Sequence, residues 1–272
     1  MKDLLNAALK GAIQASKEVY KKYNEGFSVR YKSDKSPVTT SDLIANEILI
    51  KHLTPTELPI LSEESDKYTP DILSSWQKYW CIDPIDGTQE YVDKTDEYCI
   101  SVGLLTPETS LLGVLAAPSL GLFYFAADGI GSYKWSGSYE ELWSLSEKEN
   151  LCDELLKNSV KLALKTDLQH YTLLASRSFY SQEDEKYYQK LKSEHPDLQR
   201  IQMGSVIKIG QVAEGRANEY TRFSQVNFWD IAGGHAVAKY AGLQISNPLT
   251  EKDWDYKDIS SLKISGYIIK NV

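Results

Sequence analysis

The sequence predicts a layered α/β protein in two lobes, on three observations. Residues 98–135 hold the apolar runs Tyr98–Leu105, Leu111–Ala117 and Leu122–Ala126. Pro107-Glu108-Thr109 and Pro118-Ser119-Leu120-Gly121 separate them, so they read as hairpin-joined strands of an antiparallel sheet. Two helical patterns precede this meander, and beyond it strand and helix patterns alternate, as in an α/β layer. The lobe boundary falls near residue 155, which gives an N-terminal α+β lobe, 1–155, and a C-terminal α/β lobe, 156–272.

In chain order, Leu5, Ala8, Leu9, Ala12, Ile13, Val19 and Tyr23 recur at helical spacing and predict a long amphipathic helix over 3–23. Residues 24–37 are polar, with Gly26, Ser33, Asp34 and Pro37, and read as a loop: a lid beside a site, or a plain connector. Thr39-Thr40-Ser41-Asp42 offers cap hydroxyls and a first-turn carboxylate to a helix running through Ala45, Leu49 and Leu53. On these grounds alone Asp42 only stabilises the helix dipole. Leu58–Leu61 reads as a short strand delivering Ser62-Glu63-Glu64. Neighbours on a strand point to opposite faces, so only one of the two glutamates is expected to face a site.

After the meander, Gly129–Trp135 extends the sheet, and 136–158 reads as charged and turn-rich. Val160–Leu164 and Thr172–Ala175 are expected strands, and Glu183–Lys192 a polar helix with Tyr187, Tyr188 and Leu191 inward. Gly204-Ser205 opens a helix through Ala213, with Gly215 past its end. A strand over Ala217–Thr221, a helix over Trp229–Ala241 closing at Gly242, and a strand over Ile264–Ile269 complete the chain.

The chemistry concentrates in Trp80-Cys81-Ile82-Asp83-Pro84-Ile85-Asp86-Gly87-Thr88. An apolar strand ends there in two carboxylates. Pro84 fixes one φ between them and removes an N–H donor, and Gly87 permits a tight turn. Asp83, the Ile85 carbonyl and Asp86 then share one side of a bend, a set of hard oxygen ligands suited to Mg²⁺. A bare D-x-x-D is most often an Asx-type turn; D-P-I-D-G-T after an apolar strand favours a site.

This motif resembles the signature of the inositol monophosphatase superfamily, the lithium-sensitive, Mg²⁺-dependent phosphomonoesterases. Three further blocks agree in order: Ser36-Pro37-Val38-Thr39-Thr40-Ser41-Asp42, Leu61-Ser62-Glu63-Glu64-Ser65, and Trp229-Asp230-Ile231-Ala232-Gly233-Gly234-His235. The resemblance implies the sugar-phosphatase fold of alternating α-β-α-β-α layers, two or three Mg²⁺ ions and a catalytic set of Asp42, Glu63 and Thr88. One metal would take Glu63, Asp83 and the Ile85 carbonyl, and a second Asp83, Asp86 and Asp230. Asp42 and Thr88 would orient the attacking water, and phosphate would lie over Gly87 and Thr88. Glu64 would hold a metal-bound water or be solvated. Asp230 by itself is a plain helix-start residue, and His235 is read as structural.

Within the superfamily the chain is similar to the bacterial 3′(2′),5′-bisphosphate nucleotidases of the CysQ type, which links it to sulfur metabolism. Ala175-Ser176-Arg177-Ser178, Gly204-Ser205-x-x-Lys208 and Arg222-Phe223 carry that similarity. They imply Gly87, Thr88, Ser176, Arg177, Gly204, Ser205, Lys208 and Arg222 as substrate contacts. Phe179 stands where the subfamily has His, and its ring offers a stacking surface for adenine. Lys208 and Arg222 are open to two readings: partners of a second phosphate, or solvated cations. The implied substrate is a small phosphorylated nucleotide, adenosine 3′,5′-bisphosphate, with an inositol or sugar phosphate as the alternative. A catalytically silent protein on the same fold is the remaining alternative, and the intact carboxylate set argues against it.

Bulk properties restrict the rest. At 42% hydrophobic and 25% charged, the 272 residues have the composition of a folded domain rather than a disordered chain. A net charge of −8 disfavours a broad nucleic-acid or acidic-membrane surface. No apolar run approaches a membrane span, and Asp3 and Lys10 interrupt any signal-peptide core. Cys81, Cys99 and Cys152 read as reduced thiols of a cytoplasmic protein, and zinc is not expected. Monomer and homodimer are both compatible with the sequence.

Overall fold

A computed structural model describes residues 1–65, 68–162 and 168–271. Helix α1 (Lys2–Glu25) buries Leu5, Leu9, Ala12, Ile13 and Val19 completely. The segment read as a loop carries a small antiparallel pair instead, β1 (Val29–Tyr31) and β2 (Pro37–Thr39). Three mostly exposed or half-buried residues per strand leave no apolar alternation to detect. α2 (Thr40–Leu53) starts in a capping box. The Thr39 hydroxyl accepts from the Ser41 and Asp42 amides, and the Asp42 carboxylate accepts from the Thr39 amide at 2.8 Å.

A seven-stranded sheet follows in sequence order: β3 (Ile60–Ser62), β4 (Tyr79–Asp86), β5 (Cys99–Leu105), β6 (Ser110–Ala117), β7 (Leu122–Ala127), β8 (Gly131–Trp135) and β9 (Ser159–Lys161). β3 and β4 are parallel and the other pairs antiparallel. Short α3 (Pro70–Ser74) and α4 (Thr88–Val92) flank β4. The expected turn-rich stretch 136–158 holds two helices, α5 (Tyr139–Leu145), capped by Ser138, and α6 (Leu151–Lys157). Each is only seven residues long, too short for a helical apolar period to repeat. The strand expected over Val160–Leu164 is described only to Leu162, and its end lies outside the described residues.

The second sheet has the order β11-β10-β12-β16-β14, from β10 (Thr172–Ser176), β11 (Gln199–Met203), β12 (Glu219–Arg222), β14 (Gln244–Ser246) and β16 (Tyr267–Lys270). β13 (Val226–Asn227) and β15 (Lys263–Ile264) form a separate pair. The helices of this half are α7 (Gln182–Glu194), α8 (Ile207–Ala213) and α9 (Ala232–Ala241).

Side-chain alternation sets the layers. Trp80, Ile82, Ile100, Val102, Val114 and Ala116 point to α1 and α2, while Cys81, Cys99, Leu115 and Ala117 point to α8 and α9. Leu174, Tyr220 and Ile269 pack on the far side of α8 and α9, and Leu173 meets Leu191 of α7 on the outer face. The order is therefore α-β-α-β-α, with the central strands of each sheet covered on both faces. α9 lies hard against the first sheet: a Cβ on Gly103 would sit 2.6 Å from the Ala232 Cβ. That close approach delivers Asp230, just before α9, to the end of β4.

Candidate metal-dependent active site

The β4 strand carries the first ligands out of the core. Asp83 pairs with Ser101 and Asp86 with Cys99, so β4 spends one more residue than β5 between the two pairs. This bulge falls at Pro84, which cannot donate to the ladder. The turn expected at Asp83 is thus a bulged strand that continues to Asp86. Gly87 follows at φ 90°, where an L side chain is strained, and a Cβ there would meet the Glu97 carbonyl at 2.8 Å. Oxygens of Asp83, Asp86 and Asp230 all lie within 4.8 Å of one another. Asp83 is buried and takes one hydrogen bond from the Ile85 amide at 3.0 Å. The Thr88 hydroxyl lies 3.0 Å from the Ile85 carbonyl and 3.1 Å from Asp42 Oδ1.

Burial and crowding raise these carboxyls. Burial pushes Asp83 well above the usual carboxylate range, with Glu63 and Asp86 adding to it. Asp230 rises to about 7, from burial first and then from Asp86 and Glu63. Asp42 rises to about 6 through burial, which the Thr39 hydrogen bonds partly offset. Three acids this close resist ionising together, and an oxygen-only donor set suits a hard divalent cation that relieves the repulsion. The residues present fit Mg²⁺.

Glu63 and Glu64 correct the strand argument. β3 ends at Ser62, and both glutamates lie in the turn beyond it, where the Ser65 amide donates to the Ser62 carbonyl at 3.3 Å. Opposite strand faces therefore do not apply. Lys32, on the β1–β2 connection, reaches both carboxylates, at 2.8 and 2.6 Å.

Known proteins resemble this chain in sequence and in fold. The inositol monophosphatase family model matches residues 1–265. The chain belongs to the inositol monophosphatase family. It is 34% identical to the 3′(2′),5′-bisphosphate nucleotidase CysQ of Escherichia coli K12 over 231 residues, 84% of this chain and 80% of that protein. The crystal structure of CysQ from Bacteroides thetaiotaomicron superposes with a TM-score of 0.89 at 31% identity, covering 100% of this chain and 98% of that one. An IMPase/NADP phosphatase complexed with Mg²⁺ and phosphate shares the fold, with a TM-score of 0.69 at 19% identity over 95% of this chain and 86% of that one. The acidic cluster of this chain is of the kind that suits a divalent cation. No helix among the described residues is long and apolar enough to cross a membrane.

From the cluster a pocket runs along the second sheet, lined by Asp86, Asp230 and every expected substrate contact except Thr88: Gly87, Ser176, Arg177, Gly204, Ser205, Lys208 and Arg222. Several of these already have partners. Lys208 is buried and donates to the Met203 and Ser205 carbonyls, at 2.9 and 2.5 Å. Arg222 lies over the exposed Phe179 ring, 4.6 Å from its centroid. Ser205 holds a left-handed φ of 61° and donates to Cys99 Sγ at 3.0 Å. The Val206 amide donates to Asp86 Oδ2, tying this loop to the acidic cluster. His235 is fully buried, 2.9 Å from the Tyr256 hydroxyl.

Sequence reasoning missed Lys32, Glu90, Glu97, Tyr220 and Tyr267, which bound the site or its pocket. Each reads as an ordinary loop or helix charge or a strand tyrosine, and none sits in a local pattern.

The two glutamates give a test. Glu63 contributes to the raised pKa of both Asp83 and Asp230, whereas Glu64 acts on Asp42. Glu63→Gln is expected to weaken Mg²⁺ binding about tenfold more than Glu64→Gln, measured by calorimetric titration. The reverse ranking would place Glu64 on the metal.

Proposed function

We propose that this chain is a Mg²⁺-dependent phosphomonoesterase that hydrolyses adenosine 3′,5′-bisphosphate to AMP and phosphate, with two or three ions per site. In this reading the N-terminal lobe supplies Glu63, Asp83, the Ile85 carbonyl and Asp86, and the C-terminal lobe Asp230 and the substrate loops. One observation carries the reading. The oxygen-only cluster opens into a pocket that also holds Arg177, Lys208, Arg222 and Phe179. An inositol phosphate needs no such row of cations and no aromatic ring, whereas a nucleotide bisphosphate uses both. The CysQ relatives support the same choice.

When bound, Mg²⁺ supplies positive charge against the phosphoryl oxygens and makes water more acidic. The chain does the positioning. Asp42 and Thr88 form a hydrogen-bonded pair at the cluster, and a carboxyl raised to about 6 is suited to general-base work near neutral pH. Ser176 and the Gly204-Ser205 loop shape the pocket, and Phe179 offers the base a ring already backed by Arg222.

Phosphate release from a panel of phosphoesters tests this. The expected result is a higher kcat/KM for adenosine 3′,5′-bisphosphate than for inositol 1-phosphate, with activity abolished by chelator and restored by Mg²⁺. Equal or better turnover of inositol 1-phosphate would favour an inositol or sugar monophosphatase.

A further inference from the structure

The connection from α4 to β5 is strained, and it aims one carboxylate across the seam between the two sheets. Lys94 and Asp96 both adopt left-handed backbone, φ 59° and 67°, which non-glycine residues hold only where the surroundings enforce it. Here α1 enforces it. Lys94 donates to the Tyr23 carbonyl, and the Tyr23 hydroxyl receives the Asp96 amide at 3.2 Å. The next residue, Glu97, then takes three donors from the second sheet. Arg177 contributes Nη2 at 2.6 Å and Nε at 3.2 Å, and the Gly204 amide lies at 2.7 Å. Its neighbour Glu90 accepts from Ser178 at 2.9 Å. Both loops gripped this way line the pocket that starts at the metal cluster.

We propose that Glu97 is a positioning residue: it fixes Arg177 and the Gly204 loop for the anionic group of the nucleotide that lies away from the metals. This rests on the nucleotide reading above. The Arg177 side chain is 48% exposed, and such a side chain samples many rotamers unless held. The two-point fork with Glu97 fixes the guanidinium plane through Nε and Nη2, and leaves Nη1 without a partner among the described residues. Glu97 itself is only 15% exposed and does not reach into solvent for its partners. A compact phosphomonoester engaged by the metals gains nothing from Arg177, whereas a ligand with a second anion does. Glu97 thus sets specificity without touching the reacting atoms.

The test compares wild type, Glu97→Ala, Glu97→Gln, Arg177→Ala and the Ala/Ala double variant in Mg²⁺. Readouts are kcat and KM for adenosine 3′,5′-bisphosphate and p-nitrophenyl phosphate, and the calorimetric Kd of AMP, which is not consumed. Glu97→Ala should raise the bisphosphate KM and the AMP Kd about tenfold, the size of one lost charge-assisted contact. The loss on p-nitrophenyl phosphate should be several-fold smaller. In the Arg177→Ala background the same change should add less than about twofold, because the two residues act as one unit. Equal losses on both substrates, tighter AMP binding, or full additivity would overturn the proposal. If the Ala variant melts below assay temperature, the near-isosteric Gln variant decides, with the same KM-against-kcat split at reduced size. A wild type that binds AMP in a Glu97-dependent way yet does not cleave the bisphosphate would sink the assigned reaction and leave the positioning role standing. A wild type that cleaves it with no Glu97 dependence would do the opposite.

Discussion

Asp230→Asn is expected to lower kcat by about a thousandfold and, in chelator, to raise the melting temperature. The rate loss follows from removing one of three mutually close carboxylates, since metal charge stabilisation is worth several kcal/mol and each 1.4 kcal/mol is about tenfold in rate. The stability gain follows from the sign of the pKa shift. The Asp230 carboxyl is raised to about 7 in the fold, by burial and by Asp86. A raised acid favours the unfolded chain once the pH exceeds its unfolded value, so its penalty grows from about pH 4 to about pH 7 and then levels off. An asparagine side chain carries no such penalty. The variant should therefore melt higher than wild type at pH 7 to 8 without metal, with the gap closing towards pH 4. Saturating Mg²⁺ should reverse the order, because wild type gains binding free energy that the variant lacks. Circular dichroism melts with and without Mg²⁺ check all three points. Full activity in the folded variant would remove Asp230 from the site.

How much of this was legible depended on how local each feature is. The strands β5 to β7 could be read because each pairs with its sequence neighbour and turn residues punctuate them. β11 could not, because four of its five residues are exposed on the edge of the second sheet and carry no apolar alternation. The core of the candidate site was similarly compact, with Asp83, Ile85, Asp86, Gly87 and Thr88 packed into six residues. The groups that organise its surroundings are not. Lys32 meets Glu63 across 31 residues, Glu97 meets Arg177 across 80, and Glu97 meets the Gly204 amide across 107. In sequence each is one charge among many, and only the α-β-α-β-α stacking brings them together. The strand argument for Glu63 and Glu64 fails for the same reason: it reaches two residues beyond the end of β3, into a turn that Lys32 bridges.

Asp42→Asn should reduce kcat by about two to four orders of magnitude while leaving Mg²⁺ affinity within a few-fold, the range expected for loss of a general base. The fold has an accessible way to accept the change. Asp42 Oδ2 receives the Thr39 amide at 2.8 Å and the Thr39 hydroxyl at 2.5 Å, and Oδ1 faces Thr88. An asparagine can keep its oxygen on the Thr39 side, which preserves the capping box, and turn its NH₂ towards Thr88. That orientation reverses the hydrogen bond. The Thr88 hydroxyl has a single proton, which then goes to the Ile85 carbonyl at 3.0 Å, and Thr88 accepts from the introduced amide where it formerly had a carboxylate to donate to. The pair retains its shape and loses its capacity to take a proton. Thr88→Val isolates the other half: it removes the hydroxyl, keeps a similar volume and leaves Asp42 ionisable, so its loss should be smaller than that of Asp42→Asn. Single-turnover rates at saturating Mg²⁺ and substrate separate the chemical step from binding. If Asp42→Asn turned over at wild-type speed, the proton would have to leave by another route, and Asp42 would be left with its helix-capping role alone.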